Sequence, residues 1–420
     1  MKAQLFLLLA VACHGPPPAL PDRCVPDWPA PSVTPLAAPL AAPLVGITPA
    51  VKWRRRLTRA VPLDPIVLTG GRLAVAASSR LFLLDAETGT VVGGRSSTGF
   101  ERITAPVVAP DGHLHFAGSS AYSVDLDGNL RHVVPLAPSG PSAGKRMLLA
   151  PSGTLYTTAS DGFLYAIDSA TGAARWRVEV GKNVAAAAAL PGGVGGAVHV
   201  ITRGEAPSSR LYDATTGLRL ATLATPDGVP RYGALFGATI GIVTQRPDDA
   251  PGPYPRMQID VLDPCAKLRF TIPATRAQWP ALLAPGDRLL VVERDATEGS
   301  PTEVAVYSPE GERVLAPRPA APPWAVGADG TIYGLECDGA GVESPSSLIA
   351  YSDMLEERWR IELGPACPIT TPVIGQDGTL YFAWFVDGVS EIVAVATPSP
   401  GLAGGWPARH HDARGTGWLE

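Results

Sequence analysis

The sequence predicts an all-β protein, an eight-bladed β-propeller built of four-stranded antiparallel blades. Three observations predict it: a unit of about 44 residues recurs eight times, apolar and polar residues alternate with period two, and turn residues are frequent. The 420 residues include 45 glycines and 44 prolines, which argues against a helical bundle. A hydrophobic share of 46% with 17% charged residues excludes a disordered chain, and the net charge of −5 disfavours nucleic-acid binding.

The N-terminus has the pattern of a targeting segment. A basic start precedes an apolar run at 5–12, which is too short for a membrane-spanning helix of ~20 residues. The stretch 9–13 resembles a bacterial lipoprotein signal, in which the cysteine is lipidated. We therefore predict a signal peptide at 1–12 and lipidation of Cys13, with plain secretion as the alternative. Residues 13–50 are rich in proline and are predicted to form a lipidated, semi-extended tether.

Each repeat unit has the pattern of four short strands separated by turns. The clearest copy combines Gly-Thr-Leu-Tyr at 153–156, Asp-Gly-Phe-Leu-Tyr-Ala-Ile-Asp at 161–168 and Arg-Trp-Arg-Val at 175–178. Four strands in a unit of this length are typical of a propeller blade. The residue at the end of the third strand can be followed through all eight units: Asp85, Asp125, Asp168, Asp213, Asp263, Ser308, Ser352 and Ala396.

The ring is predicted to close through its N-terminal strand. The eighth unit has strand patterns near 379–385 and 391–395 but none for a fourth strand after them. The segment 51–57 resembles the fourth strands at 175–178 and 358–361, so we expect it to complete the last blade. Closure of this kind removes sheet edges that promote aggregation.

The repeats resemble the PQQ-type propeller repeat. The resemblance rests on the run Gly-Thr-Leu-Tyr…Asp-Gly-Phe-Leu-Tyr-Ala-Ile-Asp-Ser-Ala-Thr-Gly-Ala-Ala-Arg-Trp at 153–176, and it is clearest in units three, seven and eight. This repeat occurs in quinoprotein alcohol dehydrogenases and in outer-membrane assembly lipoproteins of the BamB type. The resemblance covers 51–398, the predicted propeller domain, and implies either quinone-dependent oxidation or a role in assembling envelope proteins.

A tail at 399–420 follows the predicted propeller. It contains Trp406-Pro-Ala-Arg-His-His-Asp-Ala-Arg-Gly-Thr-Gly417, which is similar to a short motif that often precedes the first outer strand in proteins of this family. We expect the tail to pack on the propeller. The run His410-His411-Asp412 is interpreted as part of this motif, because zinc usually takes three or four ligands with defined spacing.

The residues do not favour the dehydrogenase. In that family the quinone lies between a tryptophan and a disulfide of adjacent cysteines, with a bound calcium and a catalytic aspartate. The cysteines here stand at 13, 24, 265, 337 and 367, so no two are adjacent. The predicted innermost strands are small and apolar, and no nucleophile–base or phosphate-binding motif is found. We expect no catalytic residue, no cofactor and no PQQ, and we interpret Asp125-Leu-Asp-Gly-Asn129 as a turn rather than a calcium loop.

Cysteine use fits an oxidising compartment. With Cys13 lipidated, four cysteines remain, and four allow three pairings. Cys337 ends the second strand of unit seven and Cys367 follows its fourth strand, and these positions lie on the same face of a propeller. We therefore predict a Cys337–Cys367 disulfide and leave the pairing of Cys24 and Cys265 open.

Three consecutive units carry long loops between their second and third strands, at 244–256, 293–302 and 337–347. With their flanking residues these stretches hold nine acidic and three basic residues. Loops on a rigid scaffold often carry binding, and an acidic surface suits a basic protein partner or, alternatively, calcium. The residues predicted to bind the partner are Asp248, Asp249, Tyr254, Glu293, Asp295, Glu298, Glu303, Glu336, Asp338 and Glu343.

We therefore predict a non-catalytic, monomeric envelope lipoprotein that binds or scaffolds proteins at the outer membrane, facing the periplasm or the surface. By resemblance its partners are envelope proteins, and nucleic acid is not among them. The alternative is an enzyme, or a ligand or calcium sensor, that uses the funnel of the propeller. Several polar side chains at the channel mouth favour the alternative, whereas a broad exposed apolar patch favours the scaffold.

Overall fold

The computed structural model describes most of the chain between residues 42 and 401. The described ranges are 42–59, 62–68, 70–96, 103–109, 111–136, 147–150, 152–181, 184–190, 196–202, 208–223, 229–236, 239–245, 257–262, 268–274, 281–284, 288–294, 302–337, 346–364 and 370–401. Their regular structure consists of β-strands. These ranges contain no helix that is long and apolar enough to cross a membrane.

The described residues form 32 strands in eight four-stranded antiparallel sheets, which are the blades. Blades one to four consist of β2 Ile66–Leu68, β3 Arg72–Ala77, β4 Arg80–Asp85 and β5 Val91–Ser96; β6 Val107–Val108, β7 Leu114–Ala117, β8 Ser120–Val124 and β9 Leu130–Pro135; β10 Met147–Leu149, β11 Thr154–Thr158, β12 Phe163–Asp168 and β13 Ala174–Glu179; and β14 Val184–Leu190, β15 Ala197–Thr202, β16 Ser208–Asp213 and β17 Arg219–Leu223.

Blades five to eight follow the same plan. They consist of β18 Val229–Phe236, β19 Thr239–Gln245, β20 Met257–Leu262 and β21 Leu268–Ala274; β22 Ala281–Ala284, β23 Arg288–Arg294, β24 Glu303–Tyr307 and β25 Arg313–Pro319; β26 Pro323–Val326, β27 Ile332–Cys337, β28 Ser346–Tyr351 and β29 Glu357–Gly364; and β30 Val373–Ile374, β31 Thr379–Val386, β32 Val389–Ala396 and β1 Ala50–Arg56.

The first strand of each blade lies innermost. Within blade one the strands hydrogen-bond in the order β2-β3-β4-β5, and the other blades built from consecutive strands repeat this order. First strands of neighbouring blades contact each other, β2 with β6 and β6 with β10. The fourth strands are therefore outermost, and the first strands surround the axis.

The N-terminal strand closes the ring. β1 pairs antiparallel with β32, with Ala50 opposite Ala396 and Arg56 opposite Glu391. The contact of β30 with β2 brings the last blade against the first. The predicted eight-bladed propeller with an N-terminal closing strand is thus confirmed.

An aspartate at the end of the third strand fixes the turn to the fourth strand. In blade three, Asp168 Oδ1 accepts hydrogen bonds from the backbone N–H and the hydroxyl of Thr171, at 2.9 and 2.8 Å. Asp85 and Asp213 are bonded in the same way in blades one and four. Arg175 donates to Asp168 at 2.7 Å, and this bond, followed by those from Thr171, lowers the pKa of Asp168 to about 2.

Blade two uses a different turn sequence for the same purpose. The carboxylate of Asp125 accepts from the backbone N–H of Asp127 at 2.9 Å and from that of Asn129 at 2.8 Å. The side-chain amide of Asn129 donates to its other oxygen at 2.9 Å. The oxygens of Asp125 are thus used inside the turn, in agreement with the interpretation of this stretch as a turn.

In several blades, residues that lie opposite one another on the second, third and fourth strands form a recurring row. The third-strand member of this row stands two residues before the position that ends the third strand. Across the second, third and fourth strands it reads Tyr–Ala–Trp in blades three, seven and eight: Tyr156–Ala166–Trp176, Tyr333–Ala350–Trp359 and Tyr381–Ala394–Trp53. The same row reads His115–Ser123–His132 in blade two and His199–Leu211–Ala221 in blade four.

The Tyr–Ala–Trp row of blade three locks onto the turn of blade four. Trp176 Nε1 and the Tyr156 hydroxyl both donate to the carbonyl oxygen of Ala214, at 3.1 and 2.8 Å. The indole lies over Gly217, whose φ is +73°, and a Cβ at this position would stand 2.7 Å from the ring. Only glycine combines this backbone conformation with so close an aromatic neighbour.

The closing seam between blades eight and one repeats this arrangement. Trp53 Nε1 and the Tyr381 hydroxyl donate to the carbonyl oxygen of Ala86, at 3.0 and 3.2 Å. The Trp53 ring covers Gly89, at which an added Cβ would lie 2.6 Å away. β1 therefore closes the ring by side-chain packing as well as by backbone pairing.

Candidate functional site

The two faces of the propeller carry different connections. Because every second strand runs in the same direction, all connections from second to third strands lie on one face, which we call the loop face. The turns from third to fourth strands lie on the opposite face, which we call the turn face. On the loop face, blades eight, one, two and three have short connections at 387–388, 78–79, 118–119 and 159–162.

Blades five, six and seven have long connections on the loop face. They span 246–256, 295–302 and 338–345, between β19 and β20, β23 and β24, and β27 and β28. Three consecutive blades therefore carry long loops on one sector of the loop face, as the sequence predicts. The short hairpins occupy the other side of the ring.

Most residues predicted to bind a partner fall outside the described residues. These are Asp248, Asp249, Tyr254, Asp295, Glu298, Asp338 and Glu343, and Cys13, Cys367 and His410-His411-Asp412 also lie outside. Glu293, Glu303 and Glu336 are described, and each lies where a strand meets one of the long loops.

Glu293 is bound within its own blade. Its side chain is only 13% exposed. Arg313 donates to its two carboxylate oxygens at 2.8 and 3.0 Å, and the Tyr307 hydroxyl donates to it as well. Burial, followed by the bond to Glu293, raises the pKa of Tyr307. Glu293 thus supports the foot of the second loop, while Glu303, the first residue of β24, pairs in register with Arg294.

Glu336 lies at the loop-face end of blade seven and is paired with an arginine of the fourth strand. Arg360 donates to Glu336 and also, at 3.1 Å, to Glu357, and the hydrogen bond with Glu357 is the main cause of its raised pKa. Ser347 donates to Glu362 at 3.1 Å on the same sheet. Arg360 therefore bridges Glu336 and Glu357, and Glu362 lies in the same cross-strand row as Glu336.

Sequence reasoning missed Glu357 and Glu362, which lie on the fourth strand rather than in a loop. In register, Glu336 lies opposite Ser347, and Ser347 lies opposite Glu362. The signal was the strand 357–362, Glu-Arg-Trp-Arg-Ile-Glu, combined with a four-stranded blade. Once the strand register is known, Glu362 falls in the row of Glu336, whereas Glu357 lies opposite Tyr351 at the turn-face end of the blade.

Cys337 is disulfide-bonded. Its cysteine partner lies outside the described residues, so the Cys337–Cys367 pairing stays a prediction. In register, Cys337 lies opposite Ser346, and Ser346 lies opposite Gly364. Cys367 follows Gly364 by three residues, a length of chain that spans about 10 Å when extended, close to the distance across two strand spacings. The disulfide anchors the end of β27, the strand that precedes the third long loop.

The innermost strands whose side chains the structure describes are apolar. Ile66, Val107, Leu148 and Ala325 are buried apolar residues of these strands. At their loop-face end, the carboxylate of Asp64 accepts from the backbone N–H of Thr371 at 2.6 Å. Among the described residues no group of three or more His, Cys, Asp or Glu side chains is placed to hold a metal ion.

The chain enters the propeller from the turn face. Leu44 N–H donates to the carbonyl oxygen of Pro398 at 2.7 Å, and β1 begins opposite the turn-face end of β32. The end of the described chain lies on this face as well, because Ala328 N–H donates to the carbonyl oxygen of Gly401 at 2.9 Å. The long loops and the N-terminal segment therefore lie on opposite faces.

Comparisons with known proteins agree with this architecture. Residues 118–228 match the model of a family described as outer membrane protein assembly factor BamB. A crystal structure of BamB from Moraxella catarrhalis superposes with a TM-score of 0.53 at 14% identity, covering 83% of this chain and 98% of that one. At this identity the likeness shows the fold. No curated protein matches the sequence. The chain is thus an eight-bladed propeller of BamB-like fold in which residues 118–228 match PQQ-type, BamB-like repeats, in agreement with the resemblance predicted from the sequence.

Proposed function

We propose that this protein is a non-catalytic scaffold of the cell envelope that binds other proteins through the long loops of blades five to seven. The observation that carries the proposal is the grouping of these loops on one sector, opposite the face where the chain enters. A tether attached at the turn face leaves the loop face free for a partner.

The charge of this sector supports a basic partner. Nine acidic residues stand against three basic residues in the loop stretches; of the described ones, Glu293 and Glu336 are paired with Arg313 and Arg360. Glu362 adds a further carboxylate at the loop-face end of blade seven. A surface of one sign speeds encounter with a partner of the opposite sign and fixes its orientation.

The proposed location is the outer membrane, through lipidation of Cys13. The support is the signal-like N-terminus, the proline-rich stretch before the propeller, and the match of 118–228 to a family described as an outer-membrane assembly factor. Envelope proteins of the assembly machinery are the partner class that this description favours.

The binding proposal is tested by trimming the loops. In one variant 246–256 and 295–302 are replaced by two-residue turns; in the matched control the 203–207 connection of blade four is shortened instead. Each protein is cross-linked in intact cells and purified in detergent, and the bound proteins are quantified. We expect an envelope protein to be retained by the parent and the control and lost from the trimmed variant, with binding that weakens as salt rises. Equal retention by the trimmed variant contradicts the proposed site.

The anchoring proposal is tested separately. Replacing Cys13 (Cys13→Ser) should abolish incorporation of labelled palmitate and release the protein from the membrane fraction. If the parent protein carries no palmitate label and is found in the medium, the result supports the secretion alternative.

A further inference from the structure

The hairpin that joins the second and third strands of blade eight has an Asp-Gly bond at its tip. Only Asp387 and Gly388 connect β31 to β32, and Val386 lies opposite Val389 across them. Both connecting residues have positive φ, +50° and +70°, as in a type I′ turn. Both are also exposed, so this hairpin presents its Asp-Gly bond to solvent on the loop face.

An Asp-Gly bond can rearrange without an enzyme. The backbone nitrogen of the glycine attacks Cγ of the aspartate, the N–Cγ bond forms, and one carboxyl oxygen leaves as water with the N–H proton and a proton from solvent. The resulting five-membered succinimide then takes up water. Opening at Cγ restores aspartate, whereas opening at the backbone carbonyl carbon gives isoaspartate. Glycine favours this reaction because it has no side chain to hinder the attack, but the N–H and the carboxyl group must both be free to approach each other.

In five other Asp-Gly pairs of the described residues, hydrogen bonds hold these two groups. Each glycine N–H donates to the carbonyl oxygen of the residue three positions earlier, at 2.9 to 3.1 Å. Four of the aspartate carboxylates also accept the backbone N–H two residues later, and the fifth, Asp127, accepts from Arg72. The five pairs begin at Asp111, Asp127, Asp161, Asp329 and Asp377.

The pair Asp387-Gly388 has neither restraint within the described structure. The Gly388 N–H donates to no acceptor there, and a Cβ built on Gly388 would meet nothing within 4 Å. The Asp387 carboxylate accepts no backbone N–H; its neighbour is the Arg56 guanidinium at 3.5 Å, and its side chain is 65% exposed. The nitrogen and the carboxyl group of this pair are therefore free to react.

We propose that Asp387 is a site of spontaneous isoaspartate formation. The rearrangement releases one water and takes up another, so it requires no oxidant, reductant or cofactor. Isoaspartate adds one methylene group to the backbone between β31 and β32. β32 is the strand to which β1 pairs when the ring closes, and Ser390 of β32 exchanges backbone hydrogen bonds with Leu57 and Thr58. The modification thus falls on the blade that closes the propeller.

The test compares the Asp-Gly pairs of one protein with each other. The full-length protein is kept at neutral pH and physiological temperature, in buffer or in guanidinium chloride, which unfolds the turns. Samples taken over several weeks are digested and analysed by mass spectrometry with electron-transfer fragmentation, which distinguishes isoaspartate from aspartate at each position. The pairs at 227–228 and 338–339, which lie outside the described residues, are scored separately.

A matched variant removes the reactive side chain and keeps its charge. Asp387→Glu retains the carboxylate near Arg56, but its cyclic intermediate needs a six-membered ring, which forms far more slowly. The folded variant should therefore yield no rearranged product at this position.

In the folded parent we expect the isoaspartate fraction at 387 to rise with time while the five bonded pairs stay aspartate. In guanidinium chloride we expect all six pairs to react. Two results overturn the proposal. In one, position 387 stays aspartate in the folded protein although it reacts in the unfolded chain; in the other, the five bonded pairs react as fast as Asp387 in the folded protein.

Discussion

The two faces of this propeller differ in what their residues do. On the turn face, aspartates at 85, 168 and 213 bond to threonines of their own turn, and the indoles of Trp53 and Trp176 cover the turn glycines of the next blade. On the loop face the connections range from two residues at 387–388 to eleven at 246–256. The turn face repeats itself, whereas the loop face varies from blade to blade.

This difference follows from the closure of the ring. A change at the turn face alters the contact between two blades, and a closed ring transmits the misfit to its neighbours. A longer connection on the loop face adds little, because each doubling of loop length costs only about 0.6 kcal/mol. Loop length is therefore free to vary on the loop face, whereas the Asp–Thr turns recur in blades one, three and four.

The largest effect is expected from Trp53→Ala. The half-buried indole donates to Ala86, packs 5.9 Å from the Tyr381 ring and covers Gly89 at the seam that closes the ring. Its removal should lower the free energy of unfolding by about 3–4 kcal/mol, measured by urea denaturation. The control Val92→Ala, at a half-exposed position of β5, should change it by less than about 1 kcal/mol. Similar losses in the two variants would contradict a special role for this seam.

The next largest effect is a loss of stability at low pH, which we expect from the buried His199 of blade four. Burial lowers the pKa of His199 to about 4, below the value near 6.5 of an unfolded chain. Between pH 6.5 and 4 the unfolded chain therefore binds a proton that the folded protein does not, so stability falls as pH falls through this window. The contribution of His199 should be about 2–3 kcal/mol between pH 7 and 4.

The variant His199→Gln isolates this contribution. It has no titrating group at this position, so its stability should depend less on pH between 6.5 and 4 than that of the parent, whatever the difference at pH 7. Chemical denaturation at half-unit pH steps measures both slopes. Parallel slopes would mean that His199 titrates in the folded protein as it does in the unfolded chain.

Two glycines allow the cost of a substitution on the turn face to be compared with its cost on the loop face. Gly217 on the turn face and Gly388 on the loop face have similar φ values, +73° and +70°. A Cβ at Gly217 would meet the Trp176 ring at 2.7 Å, whereas a Cβ at Gly388 would meet nothing within 4 Å. Replacing either by alanine costs roughly 1 kcal/mol of backbone strain. Gly217→Ala should cost about 1 kcal/mol more than Gly388→Ala in thermal or urea unfolding, because the indole must also move. Equal losses would show that the indole ring of Trp176 moves aside without a cost in stability.

The fold could be predicted because its signals are local. Strand alternation and turn residues lie within ten residues of each other, so the end positions at Asp85, Asp125 and Asp168 were found directly. The closing strand was predicted at 51–57 by its likeness to other fourth strands, and the structure has it at Ala50–Arg56. The seams could not be predicted this way, since Trp176 and Gly217 meet across two blades.

The candidate site was predictable in outline only. Loop lengths are visible in a sequence, but the partner of a charge depends on strand register. Glu336 was counted with its loop, yet it is bonded to Arg360 two strands away, and the neighbouring Glu362 was not counted. The roles of the seven predicted residues outside the described chain stay predictions.

The smallest effect on stability, and the sharpest test of the site, comes from removing one charge from each side of the loop face. Glu336→Gln acts at the foot of a long loop, and Asp387→Asn acts in the short hairpin of blade eight. Both carboxylates are about half exposed and paired with an arginine, at 360 and at 56, so each change should alter the free energy of unfolding by less than about 1 kcal/mol. Partner retention in the cross-linking assay should fall with Glu336→Gln alone. If both variants lower it equally, the net charge of the face attracts the partner, and blades five to seven are not its specific site.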